Sequence, residues 1–274
     1  MLKFFALTYA VTWTCWVTAL WLSGSSVPSI ATLSPLRGPL LFLGAFAPAL
    51  VALWLTAREQ GHKATRALLG RMFESDVAGR WYLFAAGYGV AIRLAAALLH
   101  RLIGGSWPAF GTEPWFVIGA AILISTPVTA GEEIGWRGYA LPRLAGRFGL
   151  ARASLVLGLI HACWHLPLFI LPGHGLYGES FPVYVLLVTA LSVAVGWLYA
   201  NTRGSLLLAM LMHSAWNQAT FIVPTQVSNP GNPFVLDTQL ITSLLAAIMW
   251  TAAGYFLARM PKAAALRTAD AVVV

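Results

Sequence analysis

The sequence predicts an all-α fold, a polytopic membrane bundle of about eight transmembrane helices. Hydrophobic residues make up 59% of the chain and charged residues 9%, whereas soluble domains carry about 25% charged residues. Apolar runs of the length that a bilayer requires recur along the chain, and most basic residues lie in the short connections between them. A chain with so few charged residues cannot provide a polar surface all around a folded domain in water. The sequence therefore indicates a multi-pass membrane protein.

The apolar runs divide the chain into eight predicted spans, each close to the roughly 20 residues that a bilayer requires. These predicted spans are residues 4–22, 39–57, 81–103, 115–136, 151–171, 182–200, 205–223 and 240–258. Proline, glycine and serine separate several of them. We therefore expect residues 1–262 to form a single transmembrane helical domain, followed by a short cytoplasmic tail over 263–274.

The positions of the basic residues predict the orientation of the bundle. With the N-terminus inside, one side of the membrane receives Lys3, Arg58, Lys63, Arg66, Arg71, Arg80, Arg143, Arg147, Arg152, Arg203, Arg259, Lys262 and Arg267. The opposite connections receive Arg37 and Arg101. Because basic connections stay in the cytoplasm, we expect both termini to be cytoplasmic and the protein to lie in the inner, cytoplasmic membrane of a cell. The net charge of +8 then reflects orientation and contact with membrane lipids, and we expect no nucleic-acid partner.

One charged stretch interrupts this pattern. Residues 131–139, GEEIGWRGY, follow the uncharged run 115–130. Each charged side chain costs roughly 2.5–3.5 kcal/mol at mid-bilayer on insertion scales, so such residues pair and mark functional sites. On a helix Glu133 and Arg137 lie four residues apart on one face and are expected to pair. Glu132 then points about 100° away and is available for chemistry.

Two further predicted spans carry polar residues at the same spacing. His161 and His165 are four residues apart, as are His213 and Asn217. Polar faces of separate helices turn inward in lipid, so the three pairs predict one polar pocket at the centre of the bundle. Arg93 lies in the middle of the third predicted span, where both a bundle-facing packing role and a place near this pocket fit the pattern.

These residue types are suited to hydrolysis. A carboxylate such as Glu132 acts as a general base towards water, and a histidine opposite it shares the proton of that water. His213 and Asn217 are donors suited to a developing oxyanion, so a peptide bond is the expected substrate. Histidines and glutamates are also zinc ligands, and the composition leaves metal-free and zinc-assisted water activation open.

Other intramembrane protease chemistries lack their residues. The sequence has no HExxH run and no serine in a GxSxG setting, which would indicate a zinc helix or a nucleophile elbow. The aspartates, Asp76, Asp237 and Asp270, all lie outside the predicted spans. A paired intramembrane aspartate mechanism is therefore excluded.

The three motifs in this order resemble the CAAX prenyl protease and bacteriocin-processing family of intramembrane proteases, also called CPBP or Abi. The likeness covers roughly residues 115–220, the expected catalytic core. It rests on Glu132-Glu133-x-x-x-Arg137, on a histidine within an apolar helix, and on His213-x-x-x-Asn217. The RGY and LPR letters over residues 137–143 and the HLPL stretch over 165–168 also match the family pattern.

The resemblance implies a role for six catalytic residues. They are Glu132 as the water-activating base, His165 as a residue that helps to hold the water, Glu133 and Arg137 as the orienting pair, and His213 with Asn217 as the oxyanion-binding or site-completing pair. The family's second motif is Phe-x-x-x-His, whereas this chain has His161 in place of the phenylalanine. A metalloprotease of this type would use Glu132, His165 and His213 as zinc ligands, with His161 as a further candidate.

We therefore expect an intramembrane endopeptidase of the glutamate type that needs no cofactor, with a zinc-dependent metalloprotease as the alternative. Its expected substrate is a peptide or protein, lipid-anchored or membrane-bound, which enters a pocket that opens toward the cytoplasm. A non-enzymatic bacteriocin-immunity or transport protein is the alternative from another class. A transporter more often shows paired, Gly/Pro-interrupted spans in two related halves, and the sequence has no such repeat.

Overall fold

A computed structural model describes residues 1–22, 35–172, 174–225, 232–236 and 239–260. Over these ranges the chain is helical and contains no β-strand, which confirms the all-α prediction. The helices are α1 (Leu2–Trp21), α2 (Arg37–Gly70), α3 (Gly79–Gly104), α4 (Trp115–Ser125), α5 (Ala130–Glu133), α6 (Leu141–Phe148), α7 (Leu150–Trp164), α8 (Pro167–Ile170), α9 (Phe181–Asn201), α10 (Leu206–Ala219) and α11 (Leu240–Ala258). A 3₁₀ turn over Arg71–Phe73 follows α2, and a π-helical segment over Ile134–Ala140 joins α5 to α6. The predicted tail over 263–274 lies outside the described residues.

Within the described residues, the helices long and apolar enough to cross a bilayer make this a multi-pass membrane protein. There are six of them: Leu2–Trp21, Arg37–Phe73, Gly79–Gly104, Leu150–Ile170, Phe181–Asn201 and Leu240–Ala258. A seventh forms if Trp115–Ser125 and Ala130–Phe148, which are bent by 41° at a short break, count as one span. The described residues therefore contain six or seven candidate spans, beside a prediction of about eight, and the sidedness of the termini stays a prediction.

The seventh predicted span, residues 205–223, is the one that no candidate span of the structure matches. It is helical over Leu206–Ala219, 14 residues, which is shorter than the roughly 20 residues that a bilayer requires. Ser205 caps the helix by accepting a hydrogen bond from the backbone N–H of Leu208 at 3.3 Å, and the chain turns after Ala219. The segment remains a buried helix of the bundle, with His213 in its middle.

The fourth predicted span, residues 115–136, is broken. Its first helix ends at Ser125, and helical structure resumes at Ala130. Pro127 lies in the break and supplies no backbone N–H to a continuous helix. The hydroxyl of Thr129 donates to the carbonyl oxygen of Thr126 at 2.8 Å and lies 3.1 Å from the carbonyl oxygen of Met210. This break directs the two glutamates that follow it into the bundle.

Two glycines let the glutamate-bearing segment approach α2 closely. A Cβ atom on Gly135 would lie 2.5 Å from the Cβ of Pro48, and one on Gly131 would lie 2.7 Å from the ring of Phe46. No side chain fits at either distance, so glycine permits the approach. The π-helical turn begins beside this contact, and single π turns inside helices are frequent at functional sites.

Tryptophans pack behind the polar residues. The indoles of Trp136 and Trp164 are fully buried, with ring centroids 5.6 Å apart. Trp164 donates to the hydroxyl of Thr12 on α1 at 2.8 Å. Helix α7 ends at Trp164, and α8 begins at Pro167, which has no backbone N–H to donate to the preceding turn. His165 lies at the break and turns toward the interior of the bundle.

Candidate active site

Glu132 on α5 and His161 on α7 form a direct contact at the centre of the bundle. Glu132 Oε2 and His161 Nε2 are 2.8 Å apart. An ionised carboxylate only accepts hydrogen bonds, so the imidazole N–H donates to it. The side chain of Glu132 is 17% exposed and that of His161 is 7% exposed. Glu132 is therefore held in place but remains accessible to a small molecule.

His165 lies one turn after His161 and faces the same carboxylate. Its Nδ1 is 3.1 Å from the carbonyl oxygen of His161. A carbonyl oxygen only accepts hydrogen bonds, so Nδ1 carries the proton and Nε2 is left with a lone pair in the neutral ring. Ligand atoms of Glu132, His161 and His165 all lie within 4.8 Å of one another. One water molecule at hydrogen-bond distance can bridge two atoms so separated.

Glu133 holds a second cluster beside the first. Its Oε1 accepts hydrogen bonds from an Nη of Arg137 at 2.9 Å and from Nδ1 of His213 at 2.7 Å. Glu133 is fully buried, and the side chain of Arg137 is 3% exposed. The predicted pair at spacing four therefore forms, and it also fixes a histidine from α10. Buried charges require such hydrogen-bonded partners.

His213 and Asn217 lie on one face of α10. Because Nδ1 of His213 is bonded to Glu133, its Nε2 is the ring nitrogen left for other contacts. Its ring centroid is 6.1 Å from that of His161. Asn217, one turn later, is exposed, and its side-chain amide makes no hydrogen bond within the described residues. Both side chains are therefore available to a bound molecule.

All these residues line one cavity of about 550 Å³. The structure brings together the six predicted residues, Glu132, Glu133, Arg137, His165, His213 and Asn217, and adds His161. Sequence reasoning did not assign Arg93, Tyr184 and Trp216, which also lie on its wall. The position of Arg93 in the middle of a predicted span indicated a possible place near the pocket. Tyr184 and Trp216 are aromatic residues in apolar helices, and nothing in the sequence distinguished them from other packing residues.

The cavity lies in one half of the bundle. Its wall includes residues of the α8–α9 connection, among them His174 and Ser180, and Thr225 after α10. None of the lining residues comes from the α6–α7 junction near Arg152 or from the α9–α10 connection that contains Arg203. The cavity therefore extends away from these basic connections. That the cavity opens toward the cytoplasm stays a prediction.

The zinc ligand set expected for a metalloprotease differs from the set that converges. Among the described residues the group with converging ligand atoms is Glu132, His161 and His165, whereas His213 pairs with Glu133. Two histidines and a glutamate are a catalytic zinc set. A tetrahedral zinc with ligands at about 2.0–2.2 Å keeps ligand atoms about 3.3–3.6 Å apart. The 2.8 Å contact between Glu132 and His161 is a hydrogen bond and would have to open to admit the ion.

Comparison with known proteins agrees with the motifs. A family model described as Type II CAAX prenyl endopeptidase Rce1-like matches residues 112–219. Residues 112–219 are therefore similar to this family. The matched range contains the six predicted catalytic residues and His161, and it overlaps the expected catalytic core over residues 115–219. The chain is therefore a protease with a protein substrate.

A curated relative supports the same assignment over a longer range. The protein called CAAX prenyl protease 2 from Methanococcus maripaludis is 24% identical over 221 residues. The aligned region covers 77% of this chain and 80% of the relative. The likeness to the CAAX prenyl endopeptidases therefore extends beyond the catalytic core into the flanking helices.

Proposed function

We propose that this chain is an intramembrane endopeptidase of the glutamate type, in which Glu132 activates the water that attacks the peptide bond. The observation that supports this most strongly is the convergence of Glu132, His161 and His165, whose polar atoms lie within 4.8 Å of one another. They do so on the wall of a cavity of about 550 Å³, a size typical of ligand sites. A carboxylate in such a place meets the geometric requirement for a general base.

The proposed reaction moves one proton through Glu132. The carboxylate removes a proton from the bound water as the water oxygen forms a bond with the carbonyl carbon of the substrate. The carbonyl oxygen becomes an oxyanion in the tetrahedral intermediate. The carbon–nitrogen bond then breaks, and Glu132 gives its proton to the leaving amine. The products are a peptide with a new carboxylate and a peptide with a new amine, and the enzyme returns to its starting state.

His165 and His161 are assigned to positioning in this scheme. Nε2 of His165, with its lone pair, accepts a hydrogen bond from the water. His161 donates to Oε2 of Glu132 and so fixes the carboxylate. Residues that lock a base in its productive position contribute through orientation. The extra histidine that replaces the family's phenylalanine thus acts on the base and not on the substrate.

His213 and Asn217 are assigned to the oxyanion. Glu133 and Arg137 orient His213 through Nδ1, which directs Nε2 to the substrate side. When protonated, His213 donates from Nε2 to the developing negative charge, and the amide of Asn217 donates beside it. The carboxylates of Glu132 and Glu133 and the guanidinium of Arg137 together carry one negative charge. The positive charge of a protonated His213 compensates it. A protonated histidine is therefore compatible with this buried site.

The substrate we infer is a peptide that carries a prenylated cysteine. The family description and the name of the relative both contain CAAX prenyl, and a C-terminal C-a-a-X sequence is the signal for prenylation of the cysteine. The cavity wall has a long apolar part built from Leu168, Val183, Leu187, Val188, Leu191 and Val195. An isoprenoid chain is apolar and suits this wall. We place the enzyme in a cytoplasmic membrane.

A zinc-dependent protease is the second candidate, and the donor set Glu132, His161 and His165 is the observation that favours it. The direct hydrogen bond between Glu132 and His161 supports the metal-free form. Elemental analysis of the purified protein separates the two, together with activity after treatment with a chelator. Full activity without bound metal supports the glutamate mechanism, whereas one tightly bound zinc per chain and loss of activity on its removal would replace it.

The proposed function is tested with purified protein in lipid nanodiscs, in water enriched in ¹⁸O. A panel of peptides with a farnesylated cysteine, a palmitoylated cysteine or an apolar transmembrane segment serves as substrate, and mass spectrometry identifies the products. We expect cleavage of the farnesylated peptide, with one ¹⁸O atom in the new carboxylate. Absence of cleavage across the panel, with the protein folded, would overturn the proposal.

A further inference from the structure

Arg93 on α3 is a buried cation on the wall of the same cavity. It is 2% exposed. One Nη atom donates to the carbonyl oxygen of Val223 at 2.7 Å and to the hydroxyl of Thr225 at 2.9 Å. Its guanidinium carbon lies 5.0 Å from the centre of the Trp216 ring. The end of α10 and the segment after it therefore hold the guanidinium in a fixed position.

The charge of Arg93 has no carboxylate partner within the described part of the chain. The two printed bonds engage the same Nη atom and end on uncharged oxygens. Nε is buried and has no hydrogen-bond partner there, and no bond to the second Nη is found in these residues either. An unpaired buried charge is costly. Unlike the guanidinium of Arg137, which Glu133 neutralises, that of Arg93 is left for an anion from outside the described residues.

The free donors define the chemistry of that anion. Because Nε is sealed from the cavity, the two N–H groups of the second Nη are the donors left for that anion, and an arginine N–H forms a charge-assisted hydrogen bond with a carboxylate oxygen. We propose that Arg93 is a specificity-determining residue that binds a carboxylate of the peptide in the cavity. This proposal deepens the proposed function and rests on it, since the carboxylate belongs to the substrate that Glu132 hydrolyses.

The position of Arg93 relative to His213 sets where the carboxylate lies in the substrate. Trp216 follows His213 by three residues on α10, a rise of about 4.5 Å, and Arg93 packs over the Trp216 ring. The guanidinium is therefore roughly 5–10 Å from the level of His213. An extended peptide advances about 3.3 Å per residue. The carboxylate thus lies about two to three residues from the scissile bond.

The carboxylate that Arg93 binds has two possible sources, and peptides of different composition distinguish them. A free C-terminus supplies one if the substrate ends two to three residues after the scissile bond, and an aspartate or glutamate side chain supplies one at the same distance. Three farnesylated peptides of one sequence form the test. One ends in a free carboxylate, one in an amide, and one in an amide with glutamate at the final position.

The readout is the ratio of kcat/KM between the acid and amide peptides within each variant. We expect the wild type to prefer the free acid by about tenfold or more, mainly through KM, because charge-assisted hydrogen bonds are strong. In Arg93→Gln the ratio falls to within about twofold of one. Arg101→Gln changes an exposed arginine two turns later on α3 and keeps the wild-type ratio. If the glutamate peptide is cleaved as fast as the free acid, Arg93 accepts a side-chain carboxylate as well as a C-terminal one. If it is cleaved as slowly as the amide, Arg93 accepts only the C-terminal carboxylate.

Because Arg93 also holds Val223 and Thr225, Arg93→Gln could lower total activity, but such a loss affects both peptides and leaves the ratio informative. Arg93→Lys keeps the charge without the planar fork and should lower the ratio several-fold. A wild type without preference, or a full preference in both variants, would overturn the proposal.

Binding of the acid and amide peptides to Glu132→Gln separates the two proposals: tighter binding of the acid without any cleavage by the wild type would retain the Arg93 site and reject the protease.

Discussion

The imidazole of His161 lies 2.8 Å from the carboxylate of Glu132, so a residue where the family pattern has phenylalanine contacts the proposed catalytic base. This contact links α5 to α7 across 29 positions of sequence. The contact fixes the helix that contains the base against the helix that immediately precedes the water-binding His165. The same two atoms would have to move apart to bind one zinc ion.

The first prediction concerns His161→Phe, which installs the residue that the family pattern has at this position. The variant loses one charge-assisted hydrogen bond to Glu132, an interaction of about 1.5–3 kcal/mol. We expect kcat to fall by about 10–100-fold while activity remains measurable, because the base itself is intact. Steady-state kinetics on the farnesylated peptide measure this. Unchanged kcat would remove His161 from the positioning role, and complete loss would point to a direct catalytic or metal-binding role.

The second prediction concerns the buried cluster around Glu133. Glu133→Gln leaves Arg137 buried without a counter-charge, and breaking such a pair costs about 3–5 kcal/mol. We expect a clearly lower melting temperature and loss of activity. The double variant Glu133→Gln/Arg137→Gln removes both charges and should regain much of the stability but none of the activity, because His213 loses its ionic partner. Thermal unfolding in detergent, paired with the cleavage assay, checks both expectations. A double variant that is active would show that the pair has no orienting role.

Much of this site was predictable from spacing alone. Residues four apart on a helix share a face, so the pairing of Glu133 with Arg137 and the inward faces with His165 and His213 followed from the sequence. The direct contact between Glu132 and His161 did not, because it depends on how α5 and α7 meet. The same holds for the bond from Glu133 to His213, which joins residues 80 positions apart.

The fold was predictable to a similar extent. Every apolar segment expected from hydropathy contains a helix, because composition alone separates lipid-facing stretches from connections. The break between Ser125 and Ala130 was missed, although Pro127 stood in the sequence as its cause. The π-helical segment after Glu133 was also missed, since it accompanies the close contact of Gly135 with Pro48 on another helix. Such contacts are tertiary and leave no periodic signal.

The third prediction tests this close contact. A Cβ atom on Gly135 would lie 2.5–2.6 Å from atoms of Pro48, including its backbone, which a flexible side chain cannot relieve. We expect Gly135→Ala to push α2 away from the glutamates, to destabilise the fold by about 1–3 kcal/mol and to lower activity. Gly119→Ala is the matched control, because no atom lies within 4 Å of the added Cβ. Equal stability and activity of the two variants would contradict the packing described for this segment.

The fourth prediction concerns pH and the α8–α9 connection on the cavity wall. Burial, and then the charge of Arg37, lower the pKa of His174 from its ordinary value of 6.5. Its Nδ1 also accepts the backbone N–H of Leu176 at 3.2 Å, which requires the neutral ring. As the pH falls below about 6.5, His174 therefore binds a proton in the unfolded chain but stays neutral in the folded chain. The free energy of unfolding decreases over this pH range.

Melting temperatures at pH 7.5, 6.5 and 5.5 in detergent measure this effect. We expect His174→Gln to lose less stability than the wild type between pH 7.5 and pH 5.5. His62→Gln, a change at an exposed histidine of α2, serves as the control and should follow the wild type. Parallel pH curves for the wild type and His174→Gln would show that protonation of this histidine does not affect the fold.

The central claim is that the carboxylate of Glu132 activates the hydrolytic water. The most direct measurement is kcat of purified Glu132→Gln on the farnesylated peptide, beside Glu113→Gln, which makes the same change at an exposed glutamate outside the cavity. Loss of a general base removes about 10²–10⁴-fold in rate, so we expect Glu132→Gln to fall by about a thousandfold at an unchanged melting temperature and Glu113→Gln to match the wild type. Turnover by Glu132→Gln at the wild-type rate would contradict the account.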